Sequence, residues 1–259
     1  MSLFFSGLPA WLGALLLVLL PTALAMCGPY LMRRQFGLER LTTNNEIAGF
    51  KFATVGVIYA VLLAFAVIIV WERFADAETA VVEEAGSAAT IYRLTQGEDA
   101  DLRATRAALD EYLERAIADD WPRMACEKAS PEVRRALDAL YASTLRLAGS
   151  GARPQSEMFE LFHQLDNVTH ARRARLHLAT GIVPRVLWVV LILGGVLTVG
   201  FTFFFGTRNL RAQVLMTGIL ALIVFMGLFV IVSINHPFTG PVHIGAEALE
   251  QVLADFGGH

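Results

Sequence analysis

Charge is scarce in this chain. Asp, Glu, Lys and Arg make up 17% of the 259 residues and hydrophobic residues 55%, where an ordinary soluble globular chain carries roughly 25% charge. That balance excludes a plain soluble domain and points to a membrane protein with a charged part set into it. The net charge of −3 argues against nucleic acid as a partner. Cysteine is nearly absent: Cys27 lies in an apolar run and Cys126 in a polar stretch, so no disulfide framework is expected. There is no Gly-rich phosphate loop, no His-Glu-x-x-His and no nucleophile elbow, and hence no expected enzyme, cofactor or metal. The apolar runs hold no paired carboxylates, which weighs against a proton-coupled carrier. The first eleven residues hold no Lys or Arg, so Ala23-Leu24-Ala25 is not expected to be a signal cleavage site and the first apolar run is expected to stay as an anchor.

What the chain does have is long apolar runs. From Phe52 to Trp71 there is no Asp, Glu, Lys, Arg or His, and these twenty residues suffice to cross a hydrocarbon core of about 30 Å. No turn cluster follows until Gln96-Gly97-Glu98-Asp99, so the same helix is expected to run on into water, ending near Thr95. A first span is expected over residues 9–32, kinked at Pro21 or Pro29 and stopped by Arg33-Arg34, with a loop over 33–51. Third and fourth spans are expected at about 185–205 and 212–234 around the turn Thr207-Arg208-Asn209-Leu210-Arg211. The expected fold is all-α: membrane helices in 1–71, a helical soluble domain in 72–182, membrane helices in 183–234 and a tail in 235–259.

Inside the soluble part, Glu98, Asp99 or Asp101 can cap a helix over 101–120, where Leu102, Leu109, Tyr112, Leu113 and Ile117 recur at helical steps. Ser130-Pro131-Glu132 starts the next helix, with Ser at the N-cap and Pro in the first turn. A last helix is expected from Gln155 toward Pro184, with Phe159, Phe162, Leu165 and Leu176 on its apolar side. The tail holds a Pro-Phe-Thr-Gly-Pro turn and an amphipathic helix near 245–256.

Three patterns could carry function. Val55, Tyr59, Leu62, Leu63, Ala66, Ile69 and Val70 form an apolar stripe that suits a dewetting constriction, or else packs against lipid or helices. Glu72, Asp76 and Glu83 share one helix face and would stack into carboxylate rings around a symmetry axis, or else form a solvated face. The soluble part as a whole holds nineteen Asp and Glu against fourteen Lys and Arg. His163, His170 and His177 stand seven residues apart, about 10 Å per step, too far to share a metal; in a symmetric oligomer they could sense pH, or else they are surface positions. Arg172, Arg173 and Arg175 would suit acidic lipid headgroups.

Two motifs carry a resemblance. Trp71-Glu72-Arg73, where the second span ends, resembles the Trp-Glu-x-Arg region of bestrophin channels, and Asn235-His236-Pro237-Phe238-Thr239-Gly240 resembles their Asn-Pro-Phe-Gly segment. Together with the order of the spans, the chain resembles the bacterial bestrophin-like domain family. Val70 stands where bestrophins have a second Trp, Thr239 interrupts Pro-Phe-Gly, and no acidic calcium cluster follows Gly240. The resemblance implies a pentamer in the bacterial inner membrane, with the second helix around a pore for inorganic ions. It also implies a cytoplasmic soluble domain, whereas the six Lys and Arg of the two short loops would put those loops in the cytoplasm instead. The alternative function is a non-conducting scaffold or sensor whose helical domain binds a partner.

Overall fold

The computed structural model describes residues 10–43, 45–151 and 153–257. Among these the secondary structure is helical, with no strand. Four helices are long and apolar enough to cross a membrane: Trp11–Phe36 (α1), the apolar part of Asn45–Leu94 (α3), Arg185–Phe204 (α8) and Leu210–Ile234 (α9). Pro9, the expected start of the first span, lies outside the described residues. The short helix Leu38–Thr42 is α2. The others are Ala100–Arg115 (α4), Trp121–Met124 (α5), Pro131–Ser150 (α6), Gln155–Leu178 (α7) and Glu247–Gly257 (α10). The protein is an all-α membrane protein.

The chain divides into two units. One takes the chain up to Glu72 with Gly181–His236 and Gly240–Val242; the other takes Arg73–Thr180, Pro237–Thr239 and the described residues from His243 on.

In the first unit, α9 packs along α1 and α8. Pro21 has no N–H to give to the turn before it, and that turn, Leu15–Leu19, widens to a π-helix closed by the Leu20 N–H on the Leu15 carbonyl. The α1 helix passes Pro29 and Arg33-Arg34 and stops at Gly37, whose φ of 74° suits glycine. The expected loop over 33–51 is therefore mostly helix, and Lys51 belongs to α3. At the start of α3 the Asn45 carboxamide donates to the Gly206 carbonyl at 2.5 Å and accepts from the Gly206 N–H at 3.0 Å. The Gln213 amide bonds the Phe205 carbonyl. Two side chains thus satisfy backbone groups where α8 has ended, as a low-dielectric surrounding demands.

The second unit is built on the later part of α3 with α4 to α7 and α10. Asp99 caps α4 through the Asp101 N–H at 2.9 Å, and Ser130 caps α6 through the N–H groups of Glu132 and Val133. The helix expected to stop near Trp121 instead passes through a π turn, Ala116–Asp120, into α5. Leu109, Tyr112, Leu113, Val133, Leu140, Leu147, Leu161, Leu165 and Val168 make the core, and Leu249 of α10 is buried with them. The Tyr92 and Phe256 rings stack at 3.7 Å, so the tail helix is part of this unit. Phe159, expected on the apolar side of α7, is 75% exposed, because the buried stripe of α7 runs through Met158, Leu161, Leu165 and Val168 instead.

Candidate functional site

The α3 helix has no proline and no internal break over 50 residues. Along it, Val55, Leu62, Ile69, Asp76 and Glu83 are all exposed. They stand at seven-residue steps and so follow one line that drifts about 20° per step. That line is apolar through Ile69 and acidic from Asp76 on, with Glu72, also exposed, beside the change. The remaining members of the expected stripe fall elsewhere. Tyr59, Ala66 and Val70 are buried, and Leu63 is half-buried. Tyr59 donates to the Leu191 carbonyl at 3.0 Å; its ring lies 2.7 Å from where a Cβ on Gly194 would stand, and its hydroxyl 2.8 Å from that of Gly195. Leu63 is placed likewise against Gly227. These are packing positions of the first unit, made possible by glycine at close helix crossings. The sequence stripe therefore narrows to Val55, Leu62 and Ile69.

The second unit holds a buried ion network that the sequence reading missed. Arg175 is fully buried and grips Glu84, also fully buried, through Nε at 2.7 Å and Nη2 at 3.0 Å. The Tyr112 hydroxyl donates to the same carboxylate at 2.6 Å. Arg172 holds buried Asp120 at 2.9 Å, and Asp120 also accepts the Ser130 N–H at 2.8 Å. Arg175 lies 3.5 Å from Asp120 and stacks over the Trp121 ring at 4.4 Å. The charges cancel, two against two, and each ion has at least one close partner, which is the condition for burying charge. Burial by itself would lower the Arg175 pKa, but the Glu84 carboxylate against it raises it, so the guanidinium stays charged. Tyr112 is held well above its usual pKa by burial and then by Glu84. Arg172 and Arg175 are consequently not available to lipid headgroups; of the three arginines, Arg173 alone is exposed.

A signal for this network does exist in the sequence. The inward face of α3 reads Ala77, Val81, Glu84, Ala88, Ile91, and that of α7 reads Leu161, Leu165, Val168, Arg172, Arg175. Opposite charges stand at apolar-stripe positions of two helices, and such residues are buried only with partners.

The three histidines are exposed along α7. His170 pairs with Asp166 one turn earlier, at 3.4 Å. His177 instead lines an open groove of about 310 Å³ with Arg73, Asp76, Thr79 and Glu83 of α3. The structure thus brings His177 together with two of the stripe carboxylates and leaves His163 and His170 apart from them. Among the described residues no group of His, Cys, Asp and Glu is placed to hold a metal.

The family model of the bestrophin-like domain matches residues 19–249. The chain belongs to the bestrophin-like domain family. It is also similar in fold to a crystal structure of a bacterial bestrophin homolog from Klebsiella pneumoniae. That likeness has a TM-score of 0.74 at 14% identity and covers 93% of this chain and 98% of the other. A mutant of that homolog gives a TM-score of 0.70 at 18% identity, covering 95% and 98%. No protein of curated function matches the chain.

In this bestrophin-like chain the two motif segments have different settings. Trp71 is 62% exposed, Glu72 is exposed, and Arg73 lines the groove. The second motif is anchored. The Asn235 carboxamide accepts the Val183 N–H at 2.9 Å, and His236 is buried against the position a Cβ on Gly181 would need. Phe238 is buried edge-on to Trp121, with ring centres 6.1 Å apart. The Pro237 carbonyl accepts the Ile244 N–H at 2.8 Å, and the Ile244 carbonyl accepts the Trp121 indole N–H at 3.3 Å. Gly240, with φ of 96°, permits the turn between them. The Trp121 ring thus has the Arg175 guanidinium over its face and Phe238 at its edge, so the motif loop rests on the buried network.

Proposed function

We propose that this chain is the subunit of a homo-oligomeric ion channel, a pentamer by its family resemblance, with α3 lining the pore in a bacterial inner membrane. The observation that carries this reading is a line of exposed residues on α3 at seven-residue steps that changes from apolar to acidic. Val55, Leu62 and Ile69 supply an apolar neck, and Glu72, Asp76 and Glu83 supply the charge at its mouth. An apolar constriction conducts by wetting and drying, and rings of carboxylates raise the local cation concentration. Cations are the favoured permeant class on that account. The reading involves no covalent chemistry and calls for no cofactor.

Native mass spectrometry of detergent-purified protein should give a single closed assembly, with five subunits expected. Reconstituted into liposomes, that assembly should pass ions. Leu62→Glu should hydrate the neck and raise flux several-fold, while Leu62→Ala should raise it less. A monomer, or a ring without flux, would sink the reading and leave a membrane scaffold whose second unit binds a protein.

Orientation has its own test. Gly149 is exposed, and a side chain added there meets no atom within 4 Å. With Cys27 and Cys126 replaced by Ser, Gly149→Cys should resist an impermeant thiol reagent applied from the periplasm, since the second unit is proposed to be cytoplasmic. Labelling in intact cells would reverse that placement.

A further inference from the structure

The groove between α3 and α7 combines features that the sequence shows only separately. Asp76 and Glu83 project from α3 and His177 from α7, and all three line one open cavity with Arg73 and Thr79. His177 stands in the last turn of α7, where the carbonyl end of the helix dipole favours a cation. Imidazole is the side chain whose charge changes between pH 5 and 8. Its charged neighbours are the two carboxylates and Arg73 across the groove, and Arg173 one turn earlier on its own helix. Of the three histidines on this face, His177 alone lines the groove, while His170 has its own carboxylate in Asp166.

We infer that His177 is a proton-operated counter-charge to Asp76 and Glu83, and so a selectivity-determining residue of the proposed pore. Neutral, it leaves the two carboxylates to attract cations. Protonated, it joins Arg73 and turns the groove from two negative charges against one positive to two against two. The potential that concentrates cations is then cancelled, and cation preference falls as pH falls. This rests on the channel reading for its consequence, whereas the shared groove does not depend on it.

Two measurements separate the parts. In planar bilayers under a KCl gradient, the reversal potential should move toward zero between pH 8 and pH 5.5. His177→Gln should flatten that dependence, and His170→Gln should retain it. A wild-type reversal potential that ignores pH, or a His177→Gln channel with the wild-type profile, overturns the inference while leaving the channel intact. The second measurement uses Asp76→Asn/Glu83→Gln, whose reversal potential should no longer depend on pH; a double variant that keeps the wild-type pH dependence overturns the inference, because the carboxylates are then not what His177 offsets. If no preparation conducts, it is the channel reading that fails.

Discussion

In the unit that carries most of the apolar spans, helices close on one another where a glycine meets a large side chain: Gly194 and Gly195 against Tyr59, Gly227 against Leu63, Gly28 against Phe203. In the other unit the closest interactions lie between full charges, Arg175 on Glu84 and Arg172 on Asp120. The difference follows from the surroundings. Apolar burial gives little drive between helices in lipid, so close backbone approach and dispersion must hold them. In water, apolar burial supplies most of the stability, and an ion network can be spared for fixing which helix faces meet, at a desolvation cost that its partners must offset. One unit is therefore sensitive to added volume and the other to a missing charge.

The largest effect should come from unbalancing the network. Arg175→Met leaves Glu84 fully buried with Tyr112 as its remaining close partner. Breaking a buried pair in this way costs about 3–5 kcal/mol, and the loss should appear as early unfolding in detergent followed by tryptophan fluorescence. Replacing Arg175 and Glu84 together by Met should recover much of the loss, because no uncompensated ion remains. If the double variant is no better than the single, the network contributes by something other than charge balance.

A smaller effect should come from adding volume in the first unit. A methyl on Gly195 would stand 2.8 Å from the Tyr59 hydroxyl and 3.2 Å from Val224. Gly195→Ala must displace the ring or strain its bond to the Leu191 carbonyl, a change of about 1–3 kcal/mol. Tyr59→Phe removes only that bond, for about 0.6–1.7 kcal/mol in a membrane setting. The comparison between units fails if Gly195→Ala is silent in a thermal-shift measurement, since the glycine would then not be needed for the crossing.

The spans and the family resemblance were legible in the sequence because hydropathy reports length and composition directly. The cap at Ser130 was legible as well, and that at Asp99 as one of three acidic candidates, since capping is local chemistry. Helix faces were harder to assign. On α3 the full apolar run looks alike from every side, and only the glycines of α8 and α9 decide that Tyr59 and Leu63 turn inward while Leu62 turns out. On α7 the exposed Phe159 looked like core and the buried Arg172 and Arg175 looked like surface. The reason is that their burial depends on Glu84 and Asp120, far away in sequence. Of the candidate site, the acidic residues of α3 were visible, and their sharing of a groove with His177 was not. That required knowing that the end of α7 lies along α3 in the same unit.

The smallest predicted change is the one that pH alone should produce. Tyr112 is fully buried, and its phenol is held well above the usual value by burial and by Glu84. In the unfolded chain a tyrosine ionises near pH ~10. Above that pH the unfolded state releases a proton that the folded state keeps, so stability falls as pH rises. At pH 11 this one group should remove about 1 kcal/mol relative to pH 9. Tyr112→Phe abolishes that part of the alkaline loss but gives up the 2.6 Å bond to Glu84, worth about 1.5–3 kcal/mol with a charged acceptor. The substitution should therefore be clearly destabilising at pH 9 and about 1 kcal/mol less so at pH 11 when denaturation midpoints are compared. An equal penalty at both pH values would mean that the phenol ionises as readily in the folded protein as in the unfolded one, and that water reaches the network in the second unit.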